Sequence, residues 1–227
     1  MTAVAPVADD ALSLEGGAAT LGCPLSGAQV AALLRYRDLL VRWNRVHNLT
    51  AVRDPSAMLT QHLLDSLSVL VPLRRHAEGR SLRVLDVGSG GGLPGVVLAI
   101  AAPELQITCV DAVAKKAGFV RQAAVELSLA NLQSLHSRVE DLDAAPFDVI
   151  ASRAFASLAD FVAWTRPLLA VGGVWMAMKG QHPQVELSAL PADVKVFHVE
   201  RLTVPGLGAE RCLVWMASRA GAQPETP

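Results

Sequence analysis

The segment Asp86-Val87-Gly88-Ser89-Gly90-Gly91-Gly92-Leu93-Pro94-Gly95 constrains the fold of this chain more than any other. It follows an apolar run of strand character, Ser81–Val87, and precedes an apolar stretch of helical character, Val96–Ala102. A glycine-rich turn between a strand and a helix lets the backbone approach another group with no Cβ in the way. The alternation then repeats. Gln106–Asp111 reads as a strand, Val113–Leu129 as a helix, Asn131–His136 and Phe147–Ser152 as strands, and Leu158–Leu169 as a helix before the strand Val174–Lys179. Strands alternating with helices predict a parallel α/β sheet. Lys195–Val204 and Cys212–Ala217 read as a terminal hairpin, which would add an antiparallel edge strand.

Ahead of the sheet, residues 1–25 are rich in Ala, Gly and Pro and read as a flexible leader. Ser26 and Gln29 form a capping-box pattern that opens an amphipathic helix to about His47. Asp54-Pro55 starts a second helix, predicted to stop before Pro72. The expected organisation is a leader (1–25), a helical N-terminal extension (26–80), a sheet domain (81–217) and a flexible tail (218–227).

The loop's acidic neighbours narrow its ligand. Asp111 closes the second strand about 20 residues after the first glycine, where a carboxylate can take both hydroxyls of a ribose. Gly90, Gly92 and Gly95 also satisfy the dinucleotide pattern GxGxxG. Two features favour S-adenosylmethionine instead. Asp86, two residues before Gly88, suits a cationic ammonium and repels a pyrophosphate. Pro94 removes an N–H where a phosphate-binding loop needs donors. No GxxxxGK[ST] follows a strand, so a P-loop is excluded. Asp86, Gly88, Gly90, Gly92 and Asp111 are the residues placed at the cofactor from this pattern.

The net charge of −1 is a poor fit to a nucleic-acid partner until it is resolved along the chain. Within residues 31–85, nine arginines stand against Asp38, Asp54, Asp65 and Glu78, leaving that segment at +5 and the remainder at −6. The front therefore reads either as a solvated helical face or as a surface for RNA phosphates. The three cysteines are widely spaced and form no CxxC pair, which argues against a disulfide scaffold or a cysteine-rich zinc site. No apolar run reaches membrane-spanning length, and the N-terminus lacks a basic signal-peptide region. A cytoplasmic chain with no metal is the expectation.

Five ordered motifs resemble one family. They are Trp43-Asn44-x-x-x-Asn48-Leu49-Thr50 with Arg53-Asp54, His62-Leu63-Leu64-Asp65-Ser66, the glycine loop, Ser137-Arg138-Val139-Glu140, and Ser152-Arg153-Ala154-Phe155-Ala156. Together, over about residues 35–217, they are similar to the RsmG family (glucose-inhibited division protein B). One departure is Gly91, where many members carry proline. The resemblance implies a class I S-adenosylmethionine-dependent methyltransferase: Rossmann-like, with a mostly parallel seven-stranded sheet and an N-terminal helical extension. It implies methyl transfer to N7 of one guanine in bacterial 16S ribosomal RNA, with S-adenosyl-L-homocysteine as product. It adds Leu93, Val139, Glu140 and Arg153 to the cofactor residues, with Arg153 also the candidate catalytic residue.

Guanine N7 carries a free lone pair, so its methylation needs no general base. The sequence has no Asn-Pro-Pro-Tyr motif for exocyclic-amine chemistry and no Pro-Cys pair at the fourth strand for cytosine C5 chemistry. Arg153 is read as orienting cofactor or guanine, against an ion pair with Asp148. His62 and Asp65, three apart on one helix, read as a hydrogen-bonded packing pair rather than as catalysts. Arg35, Arg42, Arg45, Arg53 and Lys179 are the candidate RNA contacts. The partner is 16S rRNA or the small ribosomal subunit, with no membrane involved, and the chain is expected to be a monomer. The competing readings are a small-molecule methyltransferase, an NAD(P)-dependent reductase and a non-catalytic ribosome-associated RNA-binding module.

Overall fold

Among the described residues, five α-helices and a π-helical stretch precede the first strand. The computed structural model describes residues 5–155 and 157–219, beginning with helix α1 (Ala5–Thr20) and α2 (Gly27–His47). Ser26 and Gln29 cap α2 reciprocally, as their spacing predicts. The expected flexible leader is thus largely a helix. Leu14 and Ala18 of α1 are completely buried, and Asp10 pairs with Arg37 of α2 at 2.5 Å. Its Gly16-Gly17 pair reads as loose in sequence. In space, Gly17 is a contact point: a Cβ there would lie 2.7 Å from both methyls of Leu64.

Asp54 caps α3 (Pro55–Met58), which runs into a π-helical stretch (Leu59–Leu64) and then α4 (Asp65–Leu67). Helix α5 (Leu70–Ala77) follows and contains Pro72. The sequence makes Pro72 a stop. The structure accepts it in the first turn of α5, where a backbone N–H has no helical partner to lose.

The strands are β1 (Arg83–Val87), β2 (Gln106–Asp111), β3 (Leu132–His136), β4 (Phe147–Ser152), β5 (Leu169–Lys179), β6 (Val194–Leu202) and β7 (Arg211–Ser218). They form one sheet in the order β3-β2-β1-β4-β5-β7-β6. The first five are parallel, and β7 lies antiparallel between β5 and β6. The antiparallel strand is therefore internal, and β6 forms the edge. Strand β5 starts earlier than its apolar core suggests. Gly172 sits at φ 76° within it, and the pairing with β4 shifts register between Phe147 and Val149. The strand order reverses between β1 and β4, the place where open α/β sheets bind ligands.

Helices α6 (Gly95–Ala101) and α7 (Ala114–Glu126) cover one face, and α8 (Leu158–Thr165) the other. Side chains of β1 alternate accordingly, Val84 toward the first face, Leu85 and Val87 toward the second. Residues from α1, α2 and α5 join the α6 and α7 side in a single apolar cluster. The N-terminal helices thus share their core with the sheet. A short helix, α9 (Gln184–Ser188), follows β5. The predicted tail falls mostly on residues 220–227, outside the described part.

Candidate functional site

Above the C-terminal ends of β1 and β2 opens a slot of about 240 Å³. Val87, Val110 and Val139 give it apolar walls, while Phe155 and Trp164 close one side with rings 5.3 Å apart, edge to face. Gly88 lines it with backbone at φ 66°, and nothing lies within 4 Å of where a Cβ would project. Two carboxylates stand at the rim. Asp111 accepts the N–H groups of Gly90 and Val113, both at 2.9 Å, one on each oxygen. Glu140 pairs with Arg138 at 2.7 Å. Its own backbone amide, then the Arg138 guanidinium, hold its carboxyl below the usual range, so it is ionised at neutral pH. An apolar slot with two carboxylates at its rim, one of them paired with Arg138, suits a flat base and a ribose.

The other predicted cofactor residues build the loop instead of lining the slot. Asp86 lies beneath it, 1% exposed, accepting the Gly95 N–H at 2.8 Å on one oxygen. Its second oxygen has no partner among the described residues. Burial pushes its carboxyl up to about 7. Gly90 donates to Asp111, and Leu93 is buried in the helix-side core. Gly92 sits at φ 86°, and a Cβ there would meet Val96 at 2.3 Å. The Tyr36 hydroxyl of α2 donates to the Gly91 carbonyl, so the front helix holds the loop from behind.

A second cavity, about 420 Å³, opens over the ends of β4 and β5 and the start of β7. Arg153 lines it, away from the slot. The arginine pairs with Asp65 at 3.2 Å, not with Asp148, whose carboxylate accepts the Arg83 backbone N–H at 2.8 Å. Arg211 pairs with the other Asp65 oxygen at 2.7 Å. His62 does not bond Asp65. It approaches the Gln61 carbonyl at 2.9 Å through Nδ1 and the Thr50 hydroxyl at 2.8 Å through Nε2. Burial lowers its pKa, so the ring is neutral at pH 7, and the contacts fit Nδ1–H donating and Nε2 accepting. Asn44 in turn accepts the Thr50 N–H at 2.9 Å and donates to the Val52 carbonyl at 3.2 Å. The motif residues Asn44, Thr50 and His62 therefore brace this wall.

The candidate RNA residues differ in what they contact. Arg35 donates to the Glu126 carbonyl at 2.9 Å, and Arg42 approaches the Glu126 carboxylate at 3.6 Å. Arg53 reaches Asn48 at 3.3 Å. Lys179 is held by Glu186 at 2.8 Å in the second cavity. Other arginines of the +5 segment are also paired: Arg37 with Asp10 and Asp38, Arg74 with Glu104, Arg75 with Glu200. Arg45 has no ion-pair partner among the described residues. The charge split is real in sequence, but distant carboxylates fold back onto it.

Four contributors escaped the sequence reading as site residues: Trp164, Tyr36, Asp65 and Arg211. Trp164, 42% exposed in the structure, left one signal, an aromatic off the apolar stripe of Leu158, Phe161 and Val162. Arg211 left none, because 146 residues separate it from Asp65.

A family model described as rRNA small subunit methyltransferase G matches residues 29–214. The chain is 64% identical over 210 residues to Ribosomal RNA small subunit methyltransferase G of Leptothrix cholodnii, covering 92% of this chain and 96% of that one. It is 57% identical over 230 residues to the protein of the same name from Paracidovorax citrulli, covering 96% and 94%. Among solved structures, TrmN from Thermus thermophilus aligns with a TM-score of 0.55 at 21% identity, covering 70% of this chain and 53% of that one. A Burkholderia thailandensis 1,6-didemethyltoxoflavin-N1-methyltransferase with bound S-adenosylhomocysteine aligns at 0.56 and 16% identity, covering 86% and 92%. At those identities the structures speak for the fold alone.

Proposed function

The chain belongs to the rRNA small subunit methyltransferase G family, and from that premise we propose that it transfers a methyl group from S-adenosylmethionine to N7 of a guanine in small-subunit ribosomal RNA. It is an S-adenosylmethionine-dependent methyltransferase of class I α/β architecture. The observation that carries the finer reading is the pairing of two unlike cavities on one strand rim, an apolar slot with carboxylates and a cavity with guanidinium groups.

S-adenosylmethionine supplies an electrophilic methyl group when bound. The lining fits its adenosine: Val139, Phe155 and Trp164 would enclose the base, and Asp111 and Glu140 would accept from the ribose hydroxyls. Asp111 also fixes Gly90, and Asp86 fixes Gly95, so the loop is set before any ligand enters. This preorganisation is the main service the chain renders, since displacement at a sulfonium methyl depends on alignment. An N7 acceptor has no proton to lose. The second cavity agrees, because its one histidine is neutral with both ring nitrogens engaged. With RNA as substrate, the cytoplasm is the compartment we propose.

The test uses labelled S-adenosylmethionine with small-subunit rRNA and with assembled subunits, followed by mapping of the labelled nucleotide. Label at N7 of a single guanine is expected. Label on another atom or base, or none while the cofactor binds, rejects the reading.

A further inference from the structure

We propose that Arg153 and Arg211 form a binding site for one phosphodiester group of the acceptor RNA strand, with Asp65 as the residue that positions the pair. The proposal rests on the reading that RNA is the substrate, and it assigns the second cavity a ligand.

The argument is one of charge and of unused donors. Asp65 is 2% exposed, and both its oxygens are taken, by Arg211 Nε at 2.7 Å and Arg153 Nη1 at 3.2 Å. It stands directly after the π-helical stretch Leu59–Leu64, and its backbone N–H bonds the carbonyls of His62 and Thr60. A π-helical stretch re-aims the side chains that follow it and recurs at functional sites. Here it points a carboxylate at two arginines from strand ends far away in sequence.

One guanidinium would neutralise that carboxylate; two leave a surplus positive charge. No other carboxylate lines the cavity among the described residues, and the nearby Asp86 carboxyl, which Arg153 also influences, is pushed by burial up to about 7. Lys179 is already matched by Glu186 at 2.8 Å, and His62 is neutral. Each arginine spends a further donor on backbone, Arg153 Nη1 on the Gln61 carbonyl at 3.3 Å and Arg211 Nη1 on the Glu210 carbonyl at 2.8 Å. Among the described residues, the Arg153 Nε and Nη2 and the Arg211 Nη2 donors have no partner. The two side chains are 25% and 24% exposed, and both line the cavity. Guanidinium groups already fixed by a carboxylate lose little freedom on binding, and their fork matches a phosphate. A single net positive charge asks for a singly charged anion, which is what a phosphodiester carries.

S-adenosylmethionine offers the competing anion, its α-carboxylate. The two sources separate experimentally. RNA binding to the full chain is measured over a range of salt for the native protein, Arg211→Gln and Arg211→Lys, with S-adenosylmethionine affinity measured by calorimetry on each. Arg211→Gln is expected to flatten the slope of log affinity against log salt by about 0.7, one single-strand phosphate contact. It should raise the KM for RNA about tenfold and leave cofactor affinity within twofold. Arg211→Lys should keep the slope yet restore only part of the affinity, since it keeps the charge and loses the fork.

Asp65→Asn tests the positioning role. It makes the cavity more positive, so a purely electrostatic site would bind RNA more tightly; the positioning role predicts a higher KM. Should that variant not fold, RNA carrying single neutral methylphosphonates around the methylated guanine supplies an independent test with native protein. One position should weaken native binding about tenfold and have no further effect on Arg211→Gln. The proposal fails if the salt slope is unchanged by Arg211→Gln, if cofactor affinity falls instead, or if every methylphosphonate effect is additive with that substitution. Failure with native methylation of unmodified RNA intact would leave the rRNA reading standing.

Discussion

The slot and the second cavity share one rim of one sheet and have opposite chemistry. The slot is apolar with carboxylates at its mouth; the cavity is polar with guanidinium groups across its floor. Each also rests on a buried aspartate, and the two are treated differently. Asp86 has one backbone N–H and a thiol sulfur 3.9 Å away, with one oxygen unpartnered. Asp65 has a guanidinium on each oxygen. The difference teaches that the first site is made by backbone shape and the second by side-chain charge. Substitutions that change shape should therefore strike cofactor binding, and those that change charge should strike RNA.

The largest separation is expected at Gly92. Alanine there would adopt φ 86° and bring its Cβ to 2.3 Å from Val96. Strain and overpacking together amount to about 3 kcal/mol. Gly92→Ala should weaken S-adenosylmethionine about 100-fold by calorimetry and leave RNA affinity within about twofold, by the tenfold-per-1.4 kcal/mol relation. Equal loss of both ligands would mean that the two cavities do not act independently.

The same contrast explains what was legible in the sequence. The slot comes from contiguous motifs: Gly88 from the glycine loop, Asp111 from a strand end, Val139 and Glu140 from a four-residue signature. Short apolar runs alternating with helical stretches placed the parallel strands, because a sheet covered on both faces makes its strands apolar nearly throughout. The second cavity needed tertiary structure. Asp65, Arg153 and Arg211 lie on three elements, and no local rule links them. His62 and Asp65 share a helical face in sequence, yet the π-helical stretch turns them to different partners. Leader helix α1 was hidden by Gly16-Gly17, since a glycine kept for close packing looks the same as one kept for flexibility. The +5 front was legible as composition and its ion pairs were not, because Asp10, Glu104, Glu126 and Glu200 come back to it from elsewhere.

A smaller effect sharpens the comparison of the two aspartates. Burial raises the Asp86 carboxyl to about 7, above its value in an unfolded chain. Between pH 4 and 7 the folded state therefore holds more protons than the unfolded one. Its contribution is favourable at low pH and is lost as pH rises through about 7, with a slope of up to about 1.4 kcal/mol per pH unit. Asp86→Asn should flatten this decline in denaturant titrations across that window, and asparagine can still accept the Gly95 N–H. An unchanged slope would place the proton elsewhere.

The smallest effect is expected on the front helix. If the RNA contact lay along α2, neutralising its exposed arginines would be the most damaging change of all. Arg35 and Arg42 already engage Glu126, and Arg37 is buried between two aspartates. Arg35 has no ion-pair partner among the described residues but is spent on the Glu126 backbone carbonyl, which leaves Arg45 on α2 and Arg53 just beyond it as the uncommitted cations of the predicted set in the front. Surface arginines of this kind contribute as screened point charges, each worth well under about 1 kcal/mol. The double substitution Arg45→Gln with Arg53→Gln should therefore flatten the salt slope of RNA binding less than Arg211→Gln alone, and thermal stability should not move. The opposite ranking would shift the RNA-facing surface from the strand rim to α2, and the unlike cavities would then be neighbours without a shared substrate.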